Sequence, residues 1–255
     1  MFKIGKGRPV IDPYERVSRN NTRAPCSRVL LFFTPFLFKI ATRMLEKYEE
    51  VKYSGLLFKS VKGYYNGKEV FLTLPYFGAP AATAALEVLI AGGGKTFIMV
   101  GEAGAINPIL RIGDILVPTW GLREEGTSYH YMPPDYVPRP DINLSRTLFR
   151  EVKKIKGKKK IRVLQGGIWS TDAIFRETTD KVVEYSRMGI LGVDMESTAL
   201  MTVAAYRRVR LAVIVSISDE LYGKQWNPGF GTKKLKKTEK IIVKAALKTL
   251  TKHNW

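Results

Sequence analysis

Carboxylates stand at the ends of the most apolar stretches of this 255-residue chain. Asp194 and Glu196 lie two positions apart after the apolar run 190–193, and Asp219 follows the β-branched run 211–217. Two carboxylates at one strand-to-helix junction can do acid–base work or accept hydrogen bonds from vicinal hydroxyls. A carboxylate at the end of a buried strand suits a general acid. Each of these residues is also explained as a cap for the segment that follows it.

Glycines at positions 101 and 104 flank Glu102 and Ala103, directly after the short apolar run 96–100. A backbone without side chains can approach a flat ligand or an anion closely, and a tight turn would use the same residues. The third glycine of a dinucleotide fingerprint is missing, as is the Gly-Lys-Ser/Thr of a phosphate-binding loop. Glu102 also places negative charge where a phosphate would need positive charge.

The composition adds a large positive charge, since 42 Lys and Arg stand against 23 Asp and Glu for a net charge of +19. The single cysteine, Cys26, excludes an internal disulfide and a cysteine-based zinc site, and with only two histidines we expect no metal. The lysine-rich segments 153–160 and 233–252 lack the aromatic side chains that stack on bases. We therefore predict that these segments form a solvated face, and we do not expect a nucleic-acid partner.

The apolar run 29–38 is too short to span a bilayer and is interrupted by Thr34 and Pro35. It is predicted as a strand that leads into the start of a helix. With no export signal in view, we expect a cytoplasmic protein without a membrane partner. Gln occurs twice and Cys once beside abundant Lys and Arg, which favours a hot habitat.

Strands and helices alternate along the chain after an N-terminal segment, residues 1–27, that is predicted to be an irregular arm. Asn66-Gly67 indicates a hairpin, and the Pro-rich residues 118–141 indicate a long loop. The alternation predicts a single α/β domain over residues 28–255, with a central mixed β-sheet flanked by helices and a site beyond the carboxyl ends of its strands. The predicted strands are 29–33, 56–61, 69–74, 96–100, 114–117, 161–165, 190–193 and 211–217, and the predicted helices are 36–49, 80–91, 143–155, 178–187, 194–207 and 235–250.

Three of the strand-end motifs together resemble those of a known family. Residues 101–117, with Gly-Glu-Ala-Gly-Ala-Ile-Asn-Pro and Arg-Ile-Gly-Asp-Ile-Leu-Val, are similar to the first signature of the trimeric and hexameric nucleoside phosphorylases. That family includes purine nucleoside phosphorylase, uridine phosphorylase and the methylthioadenosine nucleosidases. Gly-Val-Asp-Met-Glu-Ser at 192–197 resembles its ribose-binding signature, and Ser-Ile-Ser-Asp at 216–219 resembles its base-contacting signature. The resemblance runs from about residue 29 to the C-terminus and implies a nucleoside phosphorylase-like fold.

The resemblance implies that a nucleoside's glycosidic bond is cleaved through an oxocarbenium-like state, with Asp219 and Glu196 as the catalytic residues. Glu196 would accept hydrogen bonds from the ribose 2′- and 3′-hydroxyls, and Met195 would pack beneath the sugar. Asp219 would protonate or hydrogen-bond the leaving base, with Ser218 beside it. Inorganic phosphate would be the co-substrate, with no metal or organic cofactor. The other positions implied at the base are Ala103, Gly104, Ile174, Phe175 and Arg176, of which Ile174 or Phe175 would cover the ring.

The chain departs from the family where phosphate binds. The phosphorolytic members carry a Gly-Asp-Pro…Arg segment where this chain has Phe-Thr-Pro-Phe-Leu-Phe at 33–38. Met99 stands in place of an arginine and Glu102 in place of Thr or Ser, and no arginine near residues 51–54 matches the one that a neighbouring subunit donates. Each lost charge-assisted contact costs about 1.5–3 kcal/mol. The residues that remain as candidates for a phosphate or water site are Gly101, Glu102 and Arg123.

Three functions remain open at this point. The sequence narrowly favours a phosphorylase of a purine nucleoside or uridine, whose phosphate is held by Arg123, Arg176 or the arginine-rich arm. A nucleosidase would use water that Glu102 orients, and a third reading is a non-catalytic nucleoside-binding relative. Uridine-specific members pair a glutamine with an arginine, and no glutamine accompanies Arg176. The resemblance also implies a homo-oligomer, either a trimer or a hexamer, with its sites near subunit contacts.

Overall fold

The apolar runs of the chain pair into one mixed β-sheet in a computed structural model that describes residues 4–5, 7–19, 26–252 and 255. Its strand order is β10-β9-β6-β7-β8-β5-β1-β4-β3-β2, and β9 pairs with β5 as well. The strands β9, β6, β7, β8 and β5 therefore close into a ring, and the remaining strands extend the sheet from β5. The strands are β1 (Arg28–Phe32), β2 (Lys47–Glu50), β3 (Leu57–Tyr65), β4 (Lys68–Pro75), β5 (Thr96–Ala105), β6 (Ile115–Glu124), β7 (Val163–Thr171), β8 (Ile190–Asp194), β9 (Arg210–Glu220) and β10 (Asn227–Pro228).

Helices cover both faces of this sheet, as the predicted α/β class requires. On β5, Ile98 and Val100 belong to the core that packs against α2, α4 and α7. The alternate residues Phe97 and Met99 belong to the core beneath α3 and α6, because successive side chains of a strand point to opposite faces. The helices in the described part of the chain are α1 (Pro13–Arg19), α2 (Pro35–Thr42), α3 (Ala79–Ala91), α4 (Ile142–Lys156), α5 (Thr179–Arg187), α6 (Ser197–Tyr206) and α7 (Lys233–Lys252), with 3₁₀ turns at Ser128–His130 and Ile174–Arg176.

The hairpin signal is confirmed, because β3 and β4 pair antiparallel around Asn66 and Gly67. Both turn residues have positive φ, 50° and 68°, which is the conformation that an Asn-Gly turn favours. No helix within the described residues combines the length and the apolar character needed to cross a bilayer.

Two predicted boundaries near the N-terminus are wrong. The helix predicted over 36–49 ends at Thr42, and Lys47–Glu50 forms the edge strand β2, all of whose residues are exposed. An edge strand that is exposed on both faces has no alternation of apolar and polar residues. The sequence pattern therefore does not predict β2, which is recognised only by its pairing with β3. Within the predicted irregular arm, Pro13–Arg19 forms α1 and buries Val17 against the core beneath α3. Residues 1–3, 6 and 20–25 of that arm lie outside the described residues.

Several strands continue past their predicted ends, among them β7, which runs on to Thr171. β5 runs on to Ala105, β6 to Glu124 and β9 to Glu220, so the glycine-rich and acidic motifs lie within strands rather than after them. Gly, Ala and Pro are depleted in strands, which is why the pattern alone predicts an earlier end and a loop from residue 118. Pairing within the closed ring supplies the hydrogen bonds that override this preference, and a register shift beside Pro118 accommodates its missing N–H.

Candidate functional site

Gly104 is the point at which three motif-bearing strands meet. It pairs with Val193 of β8 on one side and with Asp219 of β9 on the other. A β-carbon at this position would lie 2.3 Å from Leu221 Cδ1 and 3.1 Å from Asp219 Oδ2, so only glycine fits without displacing its neighbours. The pairing of Gly104 on both sides brings the ends of β8 and β9 together, and the absence of a side chain here leaves room for Leu221 beside Asp219.

Glu196 follows β8 and lies buried against the start of α3. Its Oε1 accepts a hydrogen bond of 2.6 Å from the backbone N–H of Gly78, the residue that precedes α3. Gly78 has a φ of 91°, which favours glycine and aims its N–H at the carboxyl group. Burial, followed by the nearby charge of Asp194, raises the pKa of Glu196 to about 8.

Asp194 has a different task from Glu196, although the two lie in one motif. It accepts a 2.5 Å hydrogen bond from the Ser170 hydroxyl of β7 and further bonds from the hydroxyl and the backbone N–H of Ser197 at the start of α6. Burial raises its pKa to about 6. Asp194 therefore caps α6 and links it to β7, whereas Glu196 is directed to the start of α3.

Asp219 is held from two directions at the end of β9. The Ser218 hydroxyl donates to Oδ1 at 2.6 Å, and the indole N–H of Trp226 donates to Oδ2 at 2.8 Å. Ser218 is buried at the register shift of β9 against β5, beside Ala103. Two donors fix the plane of the carboxyl group. Trp226 was missed by the sequence analysis because nothing in its local pattern links it to β9.

Glu102 lies on the face of β5 that packs against α7 rather than on the face of Met99 and Ala103. Its carboxyl group is hydrogen-bonded to that of Glu239, a buried residue of α7. Burial, this hydrogen bond and the charges of Glu239 and Asp219 raise the pKa of Glu102 to about 8, and burial also raises the pKa of Glu239. The raised pKa values favour a protonated carboxyl group in this pair. The structure thus places Glu102 against α7, whereas the sequence predicts that it orients phosphate or water.

Arg123, near the end of β6, is buried and directs its guanidinium to the loop that follows this strand, whereas the sequence predicts that it holds phosphate. The ring of Tyr129 stacks 4.1 Å from its guanidinium carbon. Four of its five N–H groups are used, so none of the four can turn to an anion without leaving its acceptor unpaired. The acceptors are the Ser128 hydroxyl at 2.7 Å and the carbonyls of Met132 at 3.1 Å, Pro133 at 2.6 Å and Tyr136 at 3.3 Å.

The residues expected to cover a base lie on the 3₁₀ turn Ile174–Arg176 and point to the surface. Phe175 is 96% exposed and Ile174 is 52% exposed, and Arg176 is exposed as well. This turn would have to move, or be covered, for either apolar side chain to contact a ligand. The next residue, Glu177, was given no role from the sequence. It is half-buried, and burial and the charge of Asp219 raise its pKa to about 7.

The remaining residues that the sequence predicts at the nucleoside lie at or near the adjoining ends of β5, β8 and β9. Ala103 and Gly104 are buried between β8 and β9, Ser218 lies beside Ala103, and Met195 is half-buried directly before Glu196. Gly101 lies within β5 next to Met99, which is in the core and contacts the Ser197 hydroxyl at 3.4 Å. The resulting site is lined by carboxyl groups, whereas the residue in the arginine position of the phosphate motif is an apolar core residue.

Comparison with known proteins gives a consistent result. Residues 28–250 match the family model of the Phosphorylase superfamily. A guanosine phosphorylase of Halorubrum lacusprofundi is 28% identical over 164 residues, which are 64% of this chain and 66% of that protein. A uridine phosphorylase of Klebsiella aerogenes is 28% identical over 211 residues, 76% of this chain and 81% of that protein. The crystal structure of uridine phosphorylase from Vibrio fischeri superposes with a TM-score of 0.79 at 23% identity, covering 92% of this chain and 99% of that one.

Replacing Arg123 tests its structural assignment. Arg123→Met is expected to lower the free energy of unfolding by about 2–4 kcal/mol, because buried acceptors lose hydrogen bonds to a charged group. Arg123→Lys should recover only part of this, since an ammonium group cannot reproduce the planar fork. Urea unfolding measures the loss. A variant with unchanged stability and a raised KM for phosphate would return Arg123 to the phosphate site.

The Glu102–Glu239 pair predicts a pH-dependent stability. The folded chain keeps a proton on Glu102 up to about pH 8, whereas the unfolded chain releases it near the ordinary value of 4.5. Stability therefore falls as the pH rises from about 4.5 to about 8, by on the order of 1–3 kcal/mol. Glu102→Gln cannot ionise and should lose much of this slope in urea unfolding at several pH values. Glu184→Gln, at an exposed position of α5, is the control, and equal slopes in both variants would contradict the assignment.

Proposed function

The chain belongs to the phosphorylase superfamily, and we propose that it is a nucleoside phosphorylase. In this proposal it cleaves the N-glycosidic bond of a purine nucleoside or uridine with inorganic phosphate, and releases the free base and ribose 1-phosphate. The observation that carries the proposal is that β8 and β9 both pair with Gly104, with Glu196 directly after β8 and Asp219 near the end of β9. One carboxyl group is thereby available to the sugar and the other to the base.

Glu196 is the ribose-binding residue of this proposal. A carboxylate accepts hydrogen bonds from two adjacent hydroxyls, which matches the 2′- and 3′-hydroxyls of a ribose. The N–H of Gly78 and the N-terminal end of the α3 dipole support its ionised form, although burial opposes it. Met195 precedes Glu196 and supplies an apolar surface for the sugar ring. Hydrogen bonds that strengthen as the sugar becomes positively charged would favour the transition state over the bound substrate.

Asp219 is assigned to the leaving base. Its two donors, Ser218 and Trp226, hold the carboxyl group at the end of β9, where an acceptor or an acid can meet a ring nitrogen. Glu177 is near enough for the charge of Asp219 to raise its pKa to about 7. Glu177 is therefore partly protonated near neutral pH, and we assign it as a source of the proton that the departing base needs. Ala103 and Gly104, which lie next to β9, are assigned to the same base ring.

The phosphate must be bound by cations that the immediate site does not supply. With Arg123 engaged in its own loop, the remaining candidates are Arg176, which is exposed on the turn before Glu177, and the arginines of the N-terminal segment. A second copy of the chain is a further source. The edge of the site carries Phe77, Tyr76 and Phe58, which are 75%, 50% and 56% exposed, and such a surface suits coverage by another subunit. We therefore include a homo-oligomer, a trimer or a hexamer, in the proposal.

A base-release assay on inosine, guanosine, adenosine and uridine tests the proposal. Release is expected to require inorganic phosphate and to yield ribose 1-phosphate in equal amount to the free base. Each substrate is measured with and without phosphate, and both products are quantified. Equal release without phosphate, with free ribose as the product, would identify a hydrolase instead. No release from any substrate, together with nucleoside binding, would identify a binding protein.

Glu196→Gln tests the ribose assignment. An amide keeps an oxygen for the Gly78 N–H but has an NH2 group in place of the second acceptor oxygen, so it cannot accept from both ribose hydroxyls and kcat/KM should fall about 10²–10³-fold. The fold should remain intact, because glutamine has nearly the same size and shape as glutamate and the substitution opens no cavity. Circular dichroism and thermal unfolding check the fold, and Glu184→Gln serves as the matched control. Unchanged turnover in Glu196→Gln would contradict the assignment.

A further inference from the structure

Most of the excess positive charge of the chain is concentrated on one side of the sheet. The segments 141–162 and 233–252, which contain α4 and α7, carry 17 Lys and Arg against three acids. Two of those acids are already engaged, because Glu151 pairs with Lys252 and Glu239 pairs with Glu102. The field of this face attracts anions.

One open cavity of about 380 Å³ lies where the end of α4, the start of α7 and the loop between β5 and β6 meet. Its volume falls within the range of about 300–1,000 Å³ that is typical of small-molecule sites. Five of its lining residues are cations, which come from all three segments. The lining residues are Arg111, Asp114, Lys156, Lys160, Ile161, Arg162 and Lys234.

The acidic residue of this cavity organises the cations rather than pairing with their side chains. Asp114 is nearly buried, and its two oxygens accept 3.0 Å hydrogen bonds from the backbone N–H groups of Arg111 and Arg162. These bonds hold both arginines at the cavity. Among the described residues, none of the five cations forms an ion pair with a carboxylate within 4.0 Å.

Gly113 lets Lys234 reach across the loop. A β-carbon on Gly113 would lie 2.7 Å from Lys234 Cγ, so the absence of a side chain there allows the lysine stem to pack on the backbone. Gly113 has a φ of 79°, a conformation that also favours glycine. The loop is fixed from the other side, because its carbonyl at Gly113 accepts a 2.6 Å hydrogen bond from the Thr238 hydroxyl of α7.

We propose that this cavity, lined by Arg111, Lys156, Lys160, Arg162 and Lys234, binds a phosphate-bearing anion at a site separate from the nucleoside site. A phosphoryl group offers several acceptor oxygens and matches both guanidinium and ammonium donors. The cavity lies on the α4 and α7 side of the sheet, whereas Glu196 packs against α3 on the other side. The ligand chemistry is that of a diphosphate or of a nucleotide phosphate.

The proposed anion site adjoins the strand that carries Asp219. The N–H of Ile112 donates to Glu220 Oε1 at 2.9 Å, and the N–H of Gly113 donates to the carbonyl of Ile217 at 2.8 Å. An anion bound by Arg111 and Lys234 would therefore contact the loop that braces the end of β9 on both sides of Asp219.

Calorimetric titration of the full chain with pyrophosphate at low ionic strength tests the site. One pyrophosphate per chain is expected to bind in the wild type, and the double variant Lys160→Met/Lys234→Met should weaken binding about tenfold or more. Methionine keeps the apolar stem of lysine and removes its charge. The control Lys240→Met/Lys244→Met removes the same charge from exposed positions of α7 outside the cavity, and should weaken binding less than about threefold.

A short single-stranded oligoribonucleotide, titrated into the same three proteins, distinguishes a small phosphate ligand from a nucleic-acid backbone. A selective loss in the cavity variant with either probe supports the site and identifies its ligand source. Equal losses in the cavity and control variants overturn the proposal in favour of a diffuse basic surface. Wild-type chain that binds neither probe, or binding of both probes that is unchanged in the cavity variant, also overturns it.

Discussion

The simultaneous pairing of Gly104 with β8 and β9 is the constraint on which the rest of the site depends. A side chain at this position would displace the side chain of Leu221 and press on the carboxyl group of Asp219. The closeness of β8 and β9 sets where Glu196 and Asp219 stand relative to each other. The same pairing completes the ring of five strands, so the fold and the site share one requirement.

Charge is segregated within this basic protein. The carboxyl groups at the strand ends are buried or half-buried beside one another, and their pKa values rise because burial and neighbouring charges both disfavour ionisation. The cations lie on the outer faces of α4 and α7, where water solvates them. Burial of acids in a site with few cations costs free energy of folding, and such costs are typical of functional sites.

Local pattern was sufficient for most elements, and it failed where tertiary pairing overrides local preference. The Asn66-Gly67 hairpin and the long amphipathic helix α7 could be predicted, because turn chemistry and helical spacing act over a few residues. The edge strand Lys47–Glu50 and the later halves of β5, β6 and β9 could not. Their residues are exposed or poor strand formers, and they are extended only because another strand pairs with them.

The order and spacing of the strand-end motifs were enough to predict the class of fold and the resemblance to nucleoside phosphorylases, and to select Glu196 and Asp219 as candidates. The neighbours of the candidate residues followed only from the folded chain. It placed Glu102 against Glu239, closed Arg123 into its own loop, brought Trp226 to Asp219 and gathered five cations around Asp114. The contact of Glu102 with Glu239 and the cluster of cations join separate elements that meet only by packing. The contacts of Arg123 and Trp226 are closer in sequence, but they depend on how irregular loop segments fold back on β6 and β9, which no periodic pattern predicts.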